Sequence, residues 1–147
     1  MIYLVNLLLL LWFQNPVQKV VVGFQDDEQL VVENPKFTGF IETRDNDAVL
    51  IYREQAFHGE LSVKSISRID FGKYKKGKPF QLSVTLMNGQ TMEVQTELRD
   101  FITVQGKTDV GTVTIKDPDP LSTPVKLTEK KENRKKDLTI KYLEFPR

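Results

Sequence analysis

At 147 residues the chain is long enough for one domain of ordinary size or for two very small ones. Its 21 basic and 20 acidic residues leave a net charge of +1, which excludes a global electrostatic pull toward nucleic acid or an anionic membrane and leaves any such role to local patches. With 39% hydrophobic and 28% charged residues the balance is that of a folded protein, and the absence of cysteine excludes disulfides, thiolate metal sites and a cysteine nucleophile.

The chain opens on MIYLVNLLLLLWFQNPVQK. Ile2 to Phe13 are twelve residues with Asn6 the only polar one. As a helix they would reach about 18 Å, too short to span a bilayer and suited to the core of a signal peptide. Two features depart from that pattern. No Lys or Arg precedes the apolar run, and no pair of small residues follows it. A buried element of the domain and a shallow, uncleaved anchor are the alternatives. A leucine run this dense, ending at Asn15-Pro16, fits poorly into a small β domain. Residues 1–18 are therefore read as a signal peptide or membrane-anchoring segment.

From Lys19 onward the pattern is β. KVVVGF and QLVVE are short β-branched runs parted by the acidic turn Asp26-Asp27-Glu28. FTGFIETR and AVLIYRE flank Asp45-Asn46-Asp47, a turn by its chemistry. LSVKSISRIDF follows Gly59. PFQLSVTL and QTMEVQTE flank Asn88-Gly89, the strongest short hairpin signal in the chain. Phe80, Leu82, Val84 and Leu86 alternate with Gln81, Ser83 and Thr85, which marks a strand with one dry face and one wetter face. DFITVQ, GTVTIK and DLTIKYLEF continue the series, and no amphipathic helix is predicted after the N-terminal segment.

The chain also repeats itself. AVLIYREQAFHGELSV (48–63) lies over DFITVQGKTDVGTVTI (100–115), setting Val49, Leu50, Gly59, Leu61 and Val63 on Phe101, Ile102, Gly111, Val113 and Ile115. ISRIDF (66–71) matches IKYLEF (140–145), and VVENPKFTG and VTLMNGQTM both read as strand, turn, strand. The matched glycines and the Ile-x-x-apolar-acid-Phe motif favour a duplication over the resemblance that alternation forces on any two strands. The second copy carries an extra charged piece, KDPDPLSTPVKLTEKKENRKKD (116–137), with prolines at 118, 120 and 124, which is expected to form an exposed excursion. The expected organisation is a first β unit over 19–79 and a second over 80–147.

The first unit reads F-x-G-x-I, an Asp-containing turn, V-L-I-Y, Gly59, L-x-V and I-x-x-I. This resembles the strand order of small SH3-like barrels of the Sm-like kind, in which about five short strands form a bent sheet that closes on itself. The resemblance covers residues 29–71 and, more loosely, 82–145. It implies that Gly39 stands where the first strands bend and that Ile66 and Ile69 lie in the closing strand. Sm-like proteins bind single-stranded RNA through loop residues. Their RNA-binding motif has no match in this chain, so no functional residue is carried over. Members of the broad barrel class also occur as non-catalytic modules in exported bacterial proteins. One two-sheet β-sandwich is the alternative architecture.

Two clusters are candidates for polyanion or partner contact. FGKYKKGKPF (71–80) places Lys73, Lys75, Lys76 and Lys78 around Tyr74, offering charge and stacking, as single-strand binders do. Gly72, Gly77 and Pro79 equally suit a solvated hairpin tip, where lysines guard a sheet against edge pairing. The second cluster is Lys130, Lys131, Arg134, Lys135 and Lys136, preceded by Lys126 and interleaved with Glu129 and Glu132, as on a solvated face. No catalytic residue is singled out. His58 is the only histidine, and with no cysteine a zinc site would rest on carboxylates. Asp45-Asn46-Asp47 and Asp117-Pro118-Asp119 lack the spacing of a calcium loop. No P-loop, G-x-G-x-x-G or G-x-S-x-G motif is present.

The reading is an all-β protein of two related barrel-like units, or one β-sandwich, behind an export or anchoring segment. The function expected is a non-enzymatic binding or scaffolding module, without cofactor or metal. It would act in the periplasm, secreted, or at the envelope, and contact a protein partner or its own copies through strand edges and loops. Aromatics left outside the core would define that surface. The alternative is a cytoplasmic RNA-binding small barrel that uses the basic loops.

Overall fold

The structure is a computed structural model, and it describes residues 17–72, 79–96, 102–117 and 140–147. The strands are β1 (Lys19–Phe24), β2 (Gln29–Gly39), β3 (Ile41–Arg44), β4 (Asp47–Glu54), β5 (Phe57–Ser62), β6 (Ile66–Phe71), β7 (Gln81–Leu86), β8 (Thr91–Gln95), β9 (Ile102–Thr108), β10 (Gly111–Asp117) and β11 (Ile140–Glu144). A single 3-10 turn, Val63–Ser65, breaks the run that the sequence reads as continuous from Leu61 into β6. The all-β expectation holds. No helix among the described residues is long and apolar enough to cross a membrane, and residues 1–16 lie outside them.

All the described strands belong to one antiparallel sheet, ordered β10-β9-β2-β1-β11-β6-β7-β8-β4-β3, with β5 on the other side of β4. In that order β2 is third and β3 last, yet only Phe40 separates them in the chain. The sheet therefore curls, barrel-like, until its far end meets the continuation of β2. The bend falls at Gly39, whose φ of 116° is open to glycine and strained for other residues. Ile66 and Ile69 lie in β6, in the middle of the sheet and not in a closing strand.

Alternation explains which side faces inward. Val20, Val22, Val32, Ile66, Ile69, Leu82, Val84, Val94, Ile102, Val104, Ile140 and Leu143 line one buried face, each nearly or wholly inaccessible. Phe40, Phe71 and Phe80 stack at one end with ring centres 5.5–6.1 Å apart. Phe37 and Phe145 meet at 6.2 Å. Burying each large aliphatic side chain contributes about 1.5–3 kcal/mol.

Two stretches of chain build the same pairing. β1 and β2 pair Lys19 with Glu33, Val20 with Val32 and Val22 with Leu30. β7 and β8 pair Gln81 with Gln95, Leu82 with Val94 and Val84 with Met92, each residue 62 further on. The turns agree at the same spacing. Phe24 donates its N–H to Glu28 and accepts from Asp27, as Leu86 donates to Gln90 and accepts from Gly89. Asp26 accepts the Glu28 N–H as Asn88 accepts that of Gln90. Asp27 and Gly89 both have positive φ, 67° and 90°. The β6–β7 and β1–β11 ladders carry the same irregularity, which skips Ser67 in one and Lys141 in the other. β6 and β11 pair with each other about Ile69 and Leu143, with Arg68 opposite Glu144 and Asp70 opposite Tyr142. Glu33 opposite Lys107 is matched by Gln95 opposite Arg53.

Three local expectations are corrected. VVENPKFTG is one strand and not strand, turn, strand: Asn34 (φ 49°) and Pro35 form a bulge that shifts the β2–β9 register between Glu33 and Lys36. Gly59 is no junction. It sits inside β5 opposite Tyr52, whose ring occupies the space a Cβ would need, and the turn is at Gln55-Ala56, with Gln55 at φ 51°. The β4–β5 and β9–β10 hairpins then superpose turn on turn, with Glu54-Phe57 on Thr108-Gly111, so the sequence match of Gly59 with Gly111 is two residues out of register.

Leu143→Ala is expected to lower unfolding free energy by about 2–5 kcal/mol, and Ile69→Ala by a similar amount, in urea titrations. Gly106→Ala is expected to cost about 1–3 kcal/mol, because its Cβ would lie 2.6 Å from the Glu33 carbonyl oxygen and 2.5 Å from Val32.

Candidate functional site

Lys73, Tyr74, Lys75, Lys76, Lys78, Lys130, Lys131, Arg134, Lys135 and Lys136 all lie outside the described residues. Their stems are described. The first cluster leaves the sheet between Gly72 and Pro79, as a connection between adjacent antiparallel strands β6 and β7. Gly72 donates its N–H to Gln81 O at 2.9 Å, and a Cβ there would press on that oxygen. Phe71 and Phe80 pack edge to face at the two ends of this connection. The described ends of this connection are thus held to the sheet.

The second cluster lies in the connection from Asp117 to Ile140, and that neck is also tied. The Ile140 N–H donates to Asp117 Oδ2 at 3.1 Å. Because Tyr142 sits opposite Asp70 in antiparallel register, Ile140 begins β11 beside the end of β6. The two basic connections therefore leave the sheet from neighbouring strands at one rim. The acidic β1–β2 turn is at the same rim, since Phe24 lies opposite Ile140 and Lys141 Nζ is 3.5 Å from Asp27 Oδ1.

Asp117 is the one buried carboxylate among the described residues. It takes the place that Val63 holds in the matching hairpin. Burial pushes its carboxyl up to about 6 against the stabilising Ile140 N–H. At the opposite rim Arg147 reaches across the 3-10 turn. Its Nη2 lies 3.1, 2.8 and 2.8 Å from the carbonyl oxygens of Val63, Lys64 and Ile66, adding to the Ile66 N–H that Val63 O already accepts.

The outer face of the central strands carries a second cluster. The Tyr142 ring lies flat over Gly23, where a Cβ would overlap it, and its hydroxyl accepts from Gln29 Nε2. The Arg68 guanidinium stands 3.9 Å above the ring centre and pairs with Asp70 at 3.0 Å. Such a half-exposed stack contributes about 0.5–1 kcal/mol. Further along, Arg44 on β3 bridges over β4 to Glu60 on β5, which raises the Arg44 pKa mainly through their hydrogen bond. His58 lies exposed on β5 opposite Arg53. Asp47 Oδ1 is engaged by Ala48 N and Ser62 Oγ, so the Asp45-Asn46-Asp47 turn uses its oxygen on its own chain. Among the described residues no group of three or more His, Asp or Glu is placed to hold a metal ion. Sequence reasoning gave no sign of the Asp117, Arg147 and Tyr142 contacts, because each partner lies far away in the chain.

No protein-family profile matches the chain, and neither does any curated protein or solved structure.

The Asp117 carboxyl binds its proton more tightly folded than unfolded, so its contribution to stability is intact at low pH. It declines as pH rises from about 4 through about 6. The full penalty near neutrality is about 3 kcal/mol. Urea titrations across this range are expected to give a flatter profile for Asp117→Asn, whose amide oxygen still accepts from Ile140, than for the parent. Arg147→Ala is expected to cost about 1–2 kcal/mol in the same assay.

Proposed function

We propose that this chain is a non-catalytic binding or scaffolding module of the cell envelope or extracellular space, carried there by residues 1–18 and built from a duplicated β unit. The duplication is supported by the two hairpins that agree in pairing, turn hydrogen bonds and positive-φ position at one constant spacing. The binding role rests on what the core leaves out. Phe57, at the head of β5, is 53% exposed, and Val110, in the β9–β10 turn, is 83% exposed. Most other described aromatics are buried or packed on the core. The two sit at neighbouring positions of the matched hairpins, beside the Gln55-Ala56 turn in one and within the Asp109-Val110 turn in the other. Among the described residues β5 and β10 are each bonded along one side only. An apolar side chain beside an open ladder is what a strand-adding partner or a second copy engages.

Two measurements test this. The intact mass and cell fraction of the chain in its native host are expected to show recovery outside the cytoplasm. Chemical cross-linking in that fraction is expected to join the chain to a partner or to itself, and Phe57→Ser with Val110→Ser to weaken the product at least tenfold. A full-length chain in the cytoplasm that binds single-stranded oligonucleotides with steep salt dependence would replace this reading by the nucleic-acid one.

A further inference from the structure

Sorted by chain segment, the strands cross over. The first unit supplies the hairpin β1–β2, its extension β3, the hairpin β4–β5 and strand β6. The second supplies the hairpin β7–β8, the hairpin β9–β10 and strand β11. The leading hairpin of neither unit pairs with its own unit's last strand. β1 pairs with β11 and β2 with β9, whereas β7 pairs with β6 and β8 with β4. The half-sheet β11-β1-β2-β9-β10 thus takes its middle two strands from one unit and the rest from the other. The half-sheet β6-β7-β8-β4-β5 does the same in reverse.

We propose that the repeated unit is a half-sheet with a two-strand gap, that its docking partner is a second copy of the same unit, and that this chain supplies both copies in exchanged form. The inference rests on the duplication reading and adds who binds whom. Each gap has the same width, two strands between β11 and β9 and two between β6 and β4, about 14 Å across at ordinary strand spacing. Each is lined with matching apolar residues. Ile140 and Leu143 line the wall beside β1 in one, and Ile66 and Ile69 line the wall beside β7 in the other. The pairing that ties hairpin to gap recurs at matched positions, Glu33 with Lys107 and Gln95 with Arg53. The exchange is centred on Ile69 and Leu143, which face each other where β6 and β11 pair. Without its counterpart, a unit would expose two open ladders and the apolar lining of its gap. The connection at 72–80 therefore joins two interlocked units.

The test uses the full-length chain with a protease site inserted in the 72–80 connection. The chain has no cysteine, so introduced pairs are its only thiols. Glu33→Cys with Lys107→Cys forms one variant, and Arg53→Cys with Gln95→Cys the other. Directly opposed antiparallel residues lie within disulfide reach. Far-ultraviolet circular dichroism first verifies that each variant keeps the parent fold. After oxidation and cleavage, both variants are expected to run at full-chain mass on a non-reducing gel and to fall to half-chain masses on reduction. The cleaved parent is expected to elute as one species that parts only in denaturant. If neither pair links, or if the cleaved parent separates into two folded halves, the exchange is wrong while the duplication stands. If one pair links and the other does not, the two-fold equivalence fails, and the duplication reading with it.

Discussion

The ladder between β6 and β11 is the constraint from which the rest of the structure follows. Ile69 and Leu143 face each other there, both fully buried, and every other described strand is reached from that pair by stepping outward through the sheet. With one face sealed by Ile66, Ile69, Leu143 and Phe145, the opposite face must be wet, and Arg68, Asp70 and Glu144 occupy it. Right-handed twist, accumulated over so many strands, turns a flat sheet into a curled one. The bend at Gly39 lets β2 run on into β3 and meet the far end. The curled sheet still ends in strands bonded on one side among the described residues, β10 at one end and β5 beside β4 at the other.

Positions that correspond in the two sets of pairings differ on the outer face. Gly23 stands where the other half has Thr85, and Tyr142 where it has Arg68, and these two changes together create the stack of guanidinium over phenol over glycine. Asp117 replaces Val63 at the neck of the excursion, exchanging an apolar contact for a backbone hydrogen bond at the expense of a raised carboxyl pKa. On one rim, Lys141 meets the acidic β1–β2 turn at Asp27. On the other, Arg147 closes over three carbonyls. Among the described residues the core pairings thus recur while the surface contacts differ.

The sequence made the strands and their faces legible, because alternation reports burial directly. Asn88-Gly89 was legible as a hairpin for a local reason, its left-handed position, and Asp27 supplies the same conformation without glycine. The errors also have local causes. Gln55-Ala56 carries no turn residue, so the sequence starts a new strand only after Gly59, a glycine inside β5 whose missing Cβ leaves room for the Tyr52 ring. Asn34-Pro35 has turn chemistry but forms a bulge. The first error sets the Gly59–Gly111 match two residues away from the hairpin pairing, and the second lays VVENPKFTG over VTLMNGQTM at a spacing of 53, where the strand pairing recurs at 62. Neighbour choice was not legible at all. A period of two says which face a residue takes and nothing about which strand lies beside it, so the strand order emerged only from the pairing. The candidate basic residues were legible as charge clusters, but that the described ends of their connections lie side by side depends on β11 starting beside the end of β6.

Native-state amide hydrogen exchange under rising denaturant tests most directly whether the two units are one interlocked body. The slowest amides of β1, β2 and β6 and those of β7, β8 and β11 are expected to converge on a single unfolding free energy, because neither set can open without breaking the other's ladders. Convergence on two separate values, one for residues 19–71 and another for 81–145, would contradict the interlocked architecture and show two units that unfold independently.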